Sequence, residues 1–232
     1  MKQPCIVAHL GVRGYGEIFH LQKKLSRARQ KGIVPDILMF LEHEPCITLG
    51  RNARRQHILA EGVELEEKGL RVFETDRGGD VTYHGPGQLV CYPTLNLSNH
   101  DGDVIAYTRK LEVLVIRTLN AFGISAGRRD GHPGVWLDRC RKIASLGVSV
   151  ERNVSTHGIA LNVSPDMDHF KVIIPCGLPG VQAVSMEECL GCGVSLTEVM
   201  SEMKTHASDI FNLDLQELKE DELMRMVDNV SA

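Results

Sequence analysis

The run Arg77-Gly78-Gly79-Asp80-Val81-Thr82-Tyr83-His84-Gly85-Pro86-Gly87-Gln88 constrains this chain more than any other stretch. Glycine at this density lets backbone approach a ligand closely and adopt positive φ. Arg77 adds a fixed cation, Tyr83 an amphipathic ring, and His84 a group that titrates near neutrality. A purely structural loop needs the glycines but not that chemistry beside them. The run therefore reads as the floor of a binding cleft.

Around it, 232 residues fit one domain, because single cores reach about 250 residues. The expected unit is 1–232, with a core over about 6–211 and a polar tail over 214–232. A 43% hydrophobic content supports a real core. No stretch approaches the roughly 18 to 20 apolar residues that span a bilayer, and Met1 to His9 does not read as an export signal. Seven cysteines without an even framework are expected to be reduced thiols in a cytoplasm. A net charge of -4 argues against nucleic acid as partner. Local clusters (Arg51, Arg54 and Arg55; Arg128 with Arg129; Arg139, Arg141 and Lys142) suit an acidic partner or are simply a solvated face.

Periodicity predicts a helix over Tyr15 to Lys31, ended by Gly32 and Pro35. Short strands are expected over 37–41, 46–49 and 71–75, the last feeding the glycine-rich loop. Leu89 to Leu97 reads as a strand, interrupted or edge-like at Pro93. Asp101 or Asp103 can cap a helix whose stripe runs from Leu111 to Phe122 and stops at Gly123. Strand-like segments follow at 134–137, 142–150 and 157–163. Ser195 and Glu198 read as a capping box before the stripe Leu196 to Ile210. Strands cluster in the middle with helices flanking, which favours α+β.

Cys176, in Ile173-Ile174-Pro175-Cys176-Gly177, is the candidate nucleophile. It ends an apolar strand, and Gly177 leaves room for a substrate. The same position also suits a small buried hydrophobe. A cysteine attacks as thiolate and needs a nearby cation or base. Lys142, at the start of Lys142-Ile143-Ala144-Ser145-Leu146-Gly147, is the candidate partner, against the alternative of a surface lysine. His84 and His157 are rival bases or hydrogen-bonded core residues. Cys189-Leu190-Gly191-Cys192 lacks the second ligand pair of a zinc site, so no metal is expected. No GxxxxGK[ST], well-placed GxGxxG or GxSxG is present.

The string from Arg77 to Gln88, with Tyr92-Pro93, resembles the signature of the lipoyl(octanoyl) transferases. Lys142 to Gly147, His157-Gly158-Ile159-Ala160-Leu161-Asn162, and Pro175 to Gly177 agree in order, and Thr48 to Arg51 matches the family's early strand-turn. The resemblance implies the biotin and lipoate protein ligase catalytic fold, a mixed β-sheet flanked by helices. It implies transfer of an octanoyl group from the phosphopantetheine thioester of acyl carrier protein to a lysine of a lipoyl domain, as in 2-oxoacid dehydrogenases and the glycine cleavage H protein. This is the first step of endogenous protein lipoylation. It implies a cysteine–lysine dyad at Cys176 and Lys142, with a thioester intermediate. The acyl group would lie against the loop Arg77, Gly78, Gly79, Asp80, Val81, Thr82, Tyr83 and His84. The turns Ser145, Leu146, Gly147 and Gly158, Ile159, Ala160 would complete the site, with His157 and Gly85 in support. No cofactor is expected, because the thioester already carries the activation. The alternative is an ATP-dependent lipoate or biotin ligase on the same fold, which needs no nucleophilic cysteine.

Overall fold

The computed structural model describes residues 1–100 and 102–228. Asp101, one of the two expected helix caps, lies outside them. The first half of the chain runs β1 (Gln3–Arg13), α1 (Tyr15–Gln30), β2 (Asp36–His43), β3 (Cys46–Leu49), α2 (Gly62–Glu67), β4 (Arg71–Glu74), β5 (Val81–His84), β6 (Gln88–Thr94) and α3 (Val104–Ala121). The second half runs β7 (Gly127–Arg129), β8 (His132–Trp136), β9 (Arg141–Glu151), β10 (Val154–Asn162), β11 (Gln182–Ala183), α4 (Met186–Leu190), α5 (Leu196–Ile210), β12 (Leu213–Leu218) and α6 (Glu220–Asp228).

The strands form a mixed nine-stranded sheet in the order β12-β1-β2-β6-β10-β9-β8-β7, with β11 laid on β9. β12, β1 and β2 run parallel, and the pairings from β2 through to β7 are antiparallel. Helices cover both faces, so the inner strands read as continuous apolar runs. Leu38 and Phe40 of β2 pack with Leu111, Leu114 and Val115 of α3 and Val199, Met203 and Ala207 of α5. Ile37, Met39 and Leu41 of the same strand face Ile18, Leu21 and Leu25 of α1. A smaller sheet, β4-β3-β5, buries Ile47, Val81 and Tyr83 against Phe170, Val172 and Ile173.

The helix limits follow local chemistry. Asp103 accepts from the amides of Ile105 and Ala106 at the start of α3, and Gly123, at φ +76, ends it. Ser195 caps α5 through the Glu198 amide at 3.4 Å. The reciprocal capping box stands instead at Ser185 and Glu188, which open α4.

Three further expectations change. Of the two readings of Pro93, the interruption holds but the edge does not, since β6 lies between β2 and β10. Its ladder to β10 stops at Cys91, before the proline. The Ser155 hydroxyl then bridges the gap, donating to Pro93 O and accepting from the Leu95 amide. The polar tail, whose weak periodicity suggests a helix, instead begins as β12, paired with β1 from Gln3–Leu213 to Ala8–Leu218. Finally, 145–147 and 158–160, turns on the family resemblance, are strand interiors, in keeping with the strand-like segments 142–150 and 157–163. Ser145 pairs with Ala160, Leu146 with Ile159, and Gly147 with Gly158.

One buried carboxylate ties α1, β2 and the segment after β6 together. Asp36 accepts from Arg29 Nε and His100 Nε2, both at 2.7 Å, and from the Asn96 amide at 2.9 Å. Burial pushes its pKa up, but the hydrogen bonds from His100, Arg29 and Asn96 overcome that and hold it below its ordinary value. Its stabilisation is therefore present above about pH 4, the unfolded value, and is lost as pH falls through the folded one. Asp36→Ala should cost about 3 to 5 kcal/mol, the scale for breaking a buried pair. Urea unfolding at pH 7 checks this, and the deficit relative to wild type should narrow on acidification.

Candidate active site

The cleft opens where the glycine-rich loop crosses β9. Gly78 donates its amide to Val148 O at 2.9 Å. That approach needs Gly147, since a Cβ there would lie 2.9 Å from Gly78 O and 3.2 Å from Arg77 Cδ. The cavity holds about 240 Å³. Val81, Leu146, Val148, Ile159, Ala160, Trp136 and Leu178 give it apolar walls, and Arg77, Lys142 and Cys176 give it reactive or charged groups.

Lys142 is 5% exposed, and its Nζ donates to Cys176 Sγ at 2.9 Å and to Pro133 O at 3.1 Å. The ammonium also stands 5.1 Å from the centre of the Trp136 ring, a favourable placement for a cation. Room for the lysine depends on Gly134. A Cβ there would sit 2.3 Å from Lys142 Cε and 2.9 Å from its Nζ.

Cys176 belongs to the tight turn Pro175–Gly177 and adopts φ +58, ψ +16. The chain is pinned on both sides of it. Before the turn, Leu59 donates to Val172 O and Ile174 to His57 O, both at 2.8 Å. After it, β11 pairs with the first residues of β9, and Val184 donates to Lys142 O at 3.0 Å. The strand that follows the thiol thus lies against the strand that carries the lysine.

Arg77 is buried without a carboxylate partner among the described residues. Its guanidinium donates to Thr48 O and Oγ1, Gly78 O and Asp80 O at 2.6 to 3.1 Å. Burial pushes its pKa down, and the Tyr15 hydroxyl and the Cys176 thiol act the other way.

The two histidines have other duties. His84 donates from Nδ1 to Gln88 Oε1 at 2.7 Å, and its Nε2 meets the Thr48 hydroxyl at 3.3 Å. Complete burial holds its pKa well below the usual histidine value. A neutral ring with both nitrogens engaged is a poor general base. His157, at φ +57, donates its amide to Gln22 Oε1 and approaches Asp76 Oδ1 through Nε2 at 2.9 Å. Burial pushes its pKa down against the pull of Asp76.

Of the residues expected at the site, Arg77, Gly78, Gly79, Asp80, Val81, Thr82, His84, Lys142, Ser145, Leu146, Gly147, His157, Gly158, Ile159, Ala160 and Cys176 share the cleft wall. Tyr83 and Gly85 do not. Alternation along β5 turns Tyr83 into the core of the smaller sheet, where its hydroxyl meets His169 Nδ1 at 2.9 Å. Gly85 is packed under that ring. The cleft adds Tyr92, Thr108, His132, Pro133, Trp136, Val148 and Leu178. Trp136, the sole tryptophan, lies in a segment read only as a strand. The CxxC thiols Cys189 and Cys192 are exposed and unpaired.

Residues 15–208 match the model of the lipoyl protein ligase A/B catalytic domain. An octanoyltransferase of Solibacter usitatus is 44% identical over 211 residues, covering 91% of this chain and 94% of the relative. The chain belongs to the octanoyltransferase family. It is accordingly an acyltransferase. Its fold is that of the lipoate ligases. A lipoate-protein ligase A crystallised with ATP superposes with TM-score 0.79 at 17% identity, over 99% of this chain and 94% of that one. A bi-partite lipoate protein ligase from Thermoplasma acidophilum gives 0.78 at 16% identity, over 98% and 91%.

Gly134 supplies a test of how tightly the lysine is placed. Gly134→Ala should push the Lys142 amine away from Cys176 and lower turnover at least about tenfold. It should approach Lys142→Ala, for which the expected role of Lys142 in proton transfer predicts a loss of at least about 10²-fold. Steady-state kinetics beside circular-dichroism melting checks both variants.

Proposed function

We propose that the protein transfers an octanoyl group from octanoyl-acyl carrier protein to a lysine of a lipoyl domain, through a thioester on Cys176. The observation that carries this reading is the 2.9 Å contact from Lys142 Nζ to Cys176 Sγ inside an apolar cleft. In the ion pair, Lys142 holds the thiol as thiolate. The sulfur attacks the thioester carbonyl, and backbone amides of the glycine-rich segments stabilise the oxyanion, an effect worth about 3 to 4 kcal/mol per donor elsewhere. Collapse expels the pantetheine thiolate, which takes a proton from Lys142. The acceptor lysine then attacks the octanoyl-cysteine as a free amine. The now neutral Lys142 takes its proton, the amide forms, and Cys176 leaves as thiolate beside a renewed ammonium.

The apolar walls suit an alkyl chain, and the buried Arg77 adds positive potential beside the sulfur. A ligase that activates a free acid with ATP would leave the dyad without a task. On the transferase reading no nucleotide or metal is required, because the donor arrives as a thioester. Residues 1–232 act on this reading as one catalytic domain, working in the cytoplasm. No helix among the described residues is long and apolar enough to cross a membrane.

The carrier needs a basic landing site. Arg128 is engaged by Glu112, Arg129 stacks on Trp136, and Arg141 pairs with Asp138. Arg54 and Arg55 stay exposed, with Arg51 touching Ser149 beside them. We assign the acidic carrier to this cluster.

Intact mass after incubation with octanoyl donor, without acceptor, should show one octanoyl group. It should be labile to hydroxylamine and absent in Cys176→Ala. An adduct that persists in the variant, or maps to Cys140 or Cys189, overturns the reading. Changing Arg51, Arg54 and Arg55 together to glutamate should raise KM for the carrier-bound donor far more than for octanoyl-pantetheine, since rim charges act on association. Equal effects on the two donors would remove the cluster from the interface.

A further inference from the structure

A histidine–aspartate pair packed on the nucleophile's turn has no part in the steps above. His57 Nδ1 lies 2.8 Å from Asp80 Oδ2, each side chain 13% exposed. The pair abuts the residue next to the nucleophile: a Cβ on Gly177 would fall 2.4 Å from Asp80 Oδ2 and 2.7 Å from His57 Cε1. Both partners are fixed from elsewhere. Asp80 Oδ1 accepts the Val81 amide at 2.7 Å, and its carbonyl accepts from Gly50 at 3.2 Å and from Arg77. The His57 carbonyl accepts the Ile174 amide, and Ile58 bridges to Ile173. The imidazole and the carboxylate therefore form a rigid shelf beneath the 175–177 turn.

The turn needs such a shelf. Cys176 sits in the left-handed region, where a residue with a Cβ persists only if its surroundings impose the conformation. Relaxation of that φ would swing Sγ away from Lys142. The carboxylate itself also matters. Left without its imidazole donor, a carboxylate packed against Gly177 would disfavour a thiolate at the neighbouring residue.

We propose that His57 and Asp80 form a positioning pair that holds Cys176 in register with Lys142 and keeps its sulfur ionisable. The proposal rests on the reading of Cys176 as nucleophile, but not on the identity of the acyl donor. It gives His57, which no sequence signal singles out, a place in the reaction, and gives Asp80 a task other than contact with the acyl chain. The charged and titratable groups that share the sulfur's cleft are Lys142 on β9, Arg77 and Asp80 on the glycine-rich loop, His84 on β5, Tyr92 on β6, His132 on β8 and His157 on β10, with His57 behind Asp80.

Alkylation of Cys176 in the full chain by iodoacetamide, followed against pH and located by peptide mass, measures the pair's effect without any acyl donor. His57→Ala should move the profile upward by about one pH unit, so that alkylation at pH 7 slows about tenfold. His57→Leu, which fills the space without a donor, should behave alike and carries the test if the alanine variant does not fold. His57→Asn, whose amide can stand where Nδ1 stands, should restore most of the rate. A wild-type profile in His57→Leu overturns the proposal. So does an asparagine variant as slow as the leucine one, because the loss would then be one of packing. Failure of octanoyl transfer in the wild-type protein would leave this readout intact, so the two readings fail separately.

Discussion

The close approach of the Arg77–Asp80 loop to β9 is the constraint from which the cleft follows. A chain with side chains at Gly50 and Gly147 could not bring these backbones together. At Gly50 a Cβ would meet Gly79 O at 2.4 Å, and at Gly147 it would meet Gly78 O at 2.9 Å. With the loop in place, Arg77 is carried under the floor and must donate to backbone oxygens. Asp80 is carried to the edge where the 175–177 turn lies. The second wall is set by β11, whose pairing to the start of β9 fixes the spacing of Cys176 and Lys142. Most of these anchors are backbone hydrogen bonds, which tolerate side-chain change far better than packed rings do.

The electrostatic arrangement is asymmetric. Two cations, Lys142 and Arg77, are buried around one sulfur, and the carboxylates nearby are occupied by other donors. Asp76 is held well below its ordinary range by the His157 hydrogen bond first, and by Lys23, against burial. Asp80 is bound by His57 and by the Val81 amide. A buried cation is costly unless an anion or dipoles answer it. Here Lys142 is answered by Cys176 Sγ, the Pro133 carbonyl and the face of the Trp136 ring. The two histidines that look most like catalysts in the sequence are buried and hydrogen-bonded, His84 to Gln88 and His157 to Asp76, and burial pushes both their pKa values down.

Legibility in the sequence tracks the range of the cause. The end of α1 at Gly32, the Asp103 cap and the stripe of α3 are settled within a few residues, and local pattern finds them. The cleft floor is legible because its glycines and its chemistry share one short run. Tyr83 is misplaced because β5 begins inside that run, and alternation turns its ring away. Pro93 misleads because its tolerance comes from Ser155, across the sheet. His57 carries no local signal at all; its importance comes from Gly177, far along the chain, having no side chain. The parallel partner of β1 is equally invisible, since nothing near β12 says which edge it will join.

That last pairing has a kinetic consequence. Parallel strands joined across almost the whole chain, as Gln3 is to Leu213, are expensive to close and slow to form. β1 can pair early with β2, but its outer edge must wait for nearly all of the chain to be made. In that interval it presents a row of unsatisfied amides and carbonyls flanked by Cys5, Ile6 and Val7. Such an edge invites pairing with another molecule. The cleft lies several strands away at β9 and β10, so this late-paired edge is remote from the cleft.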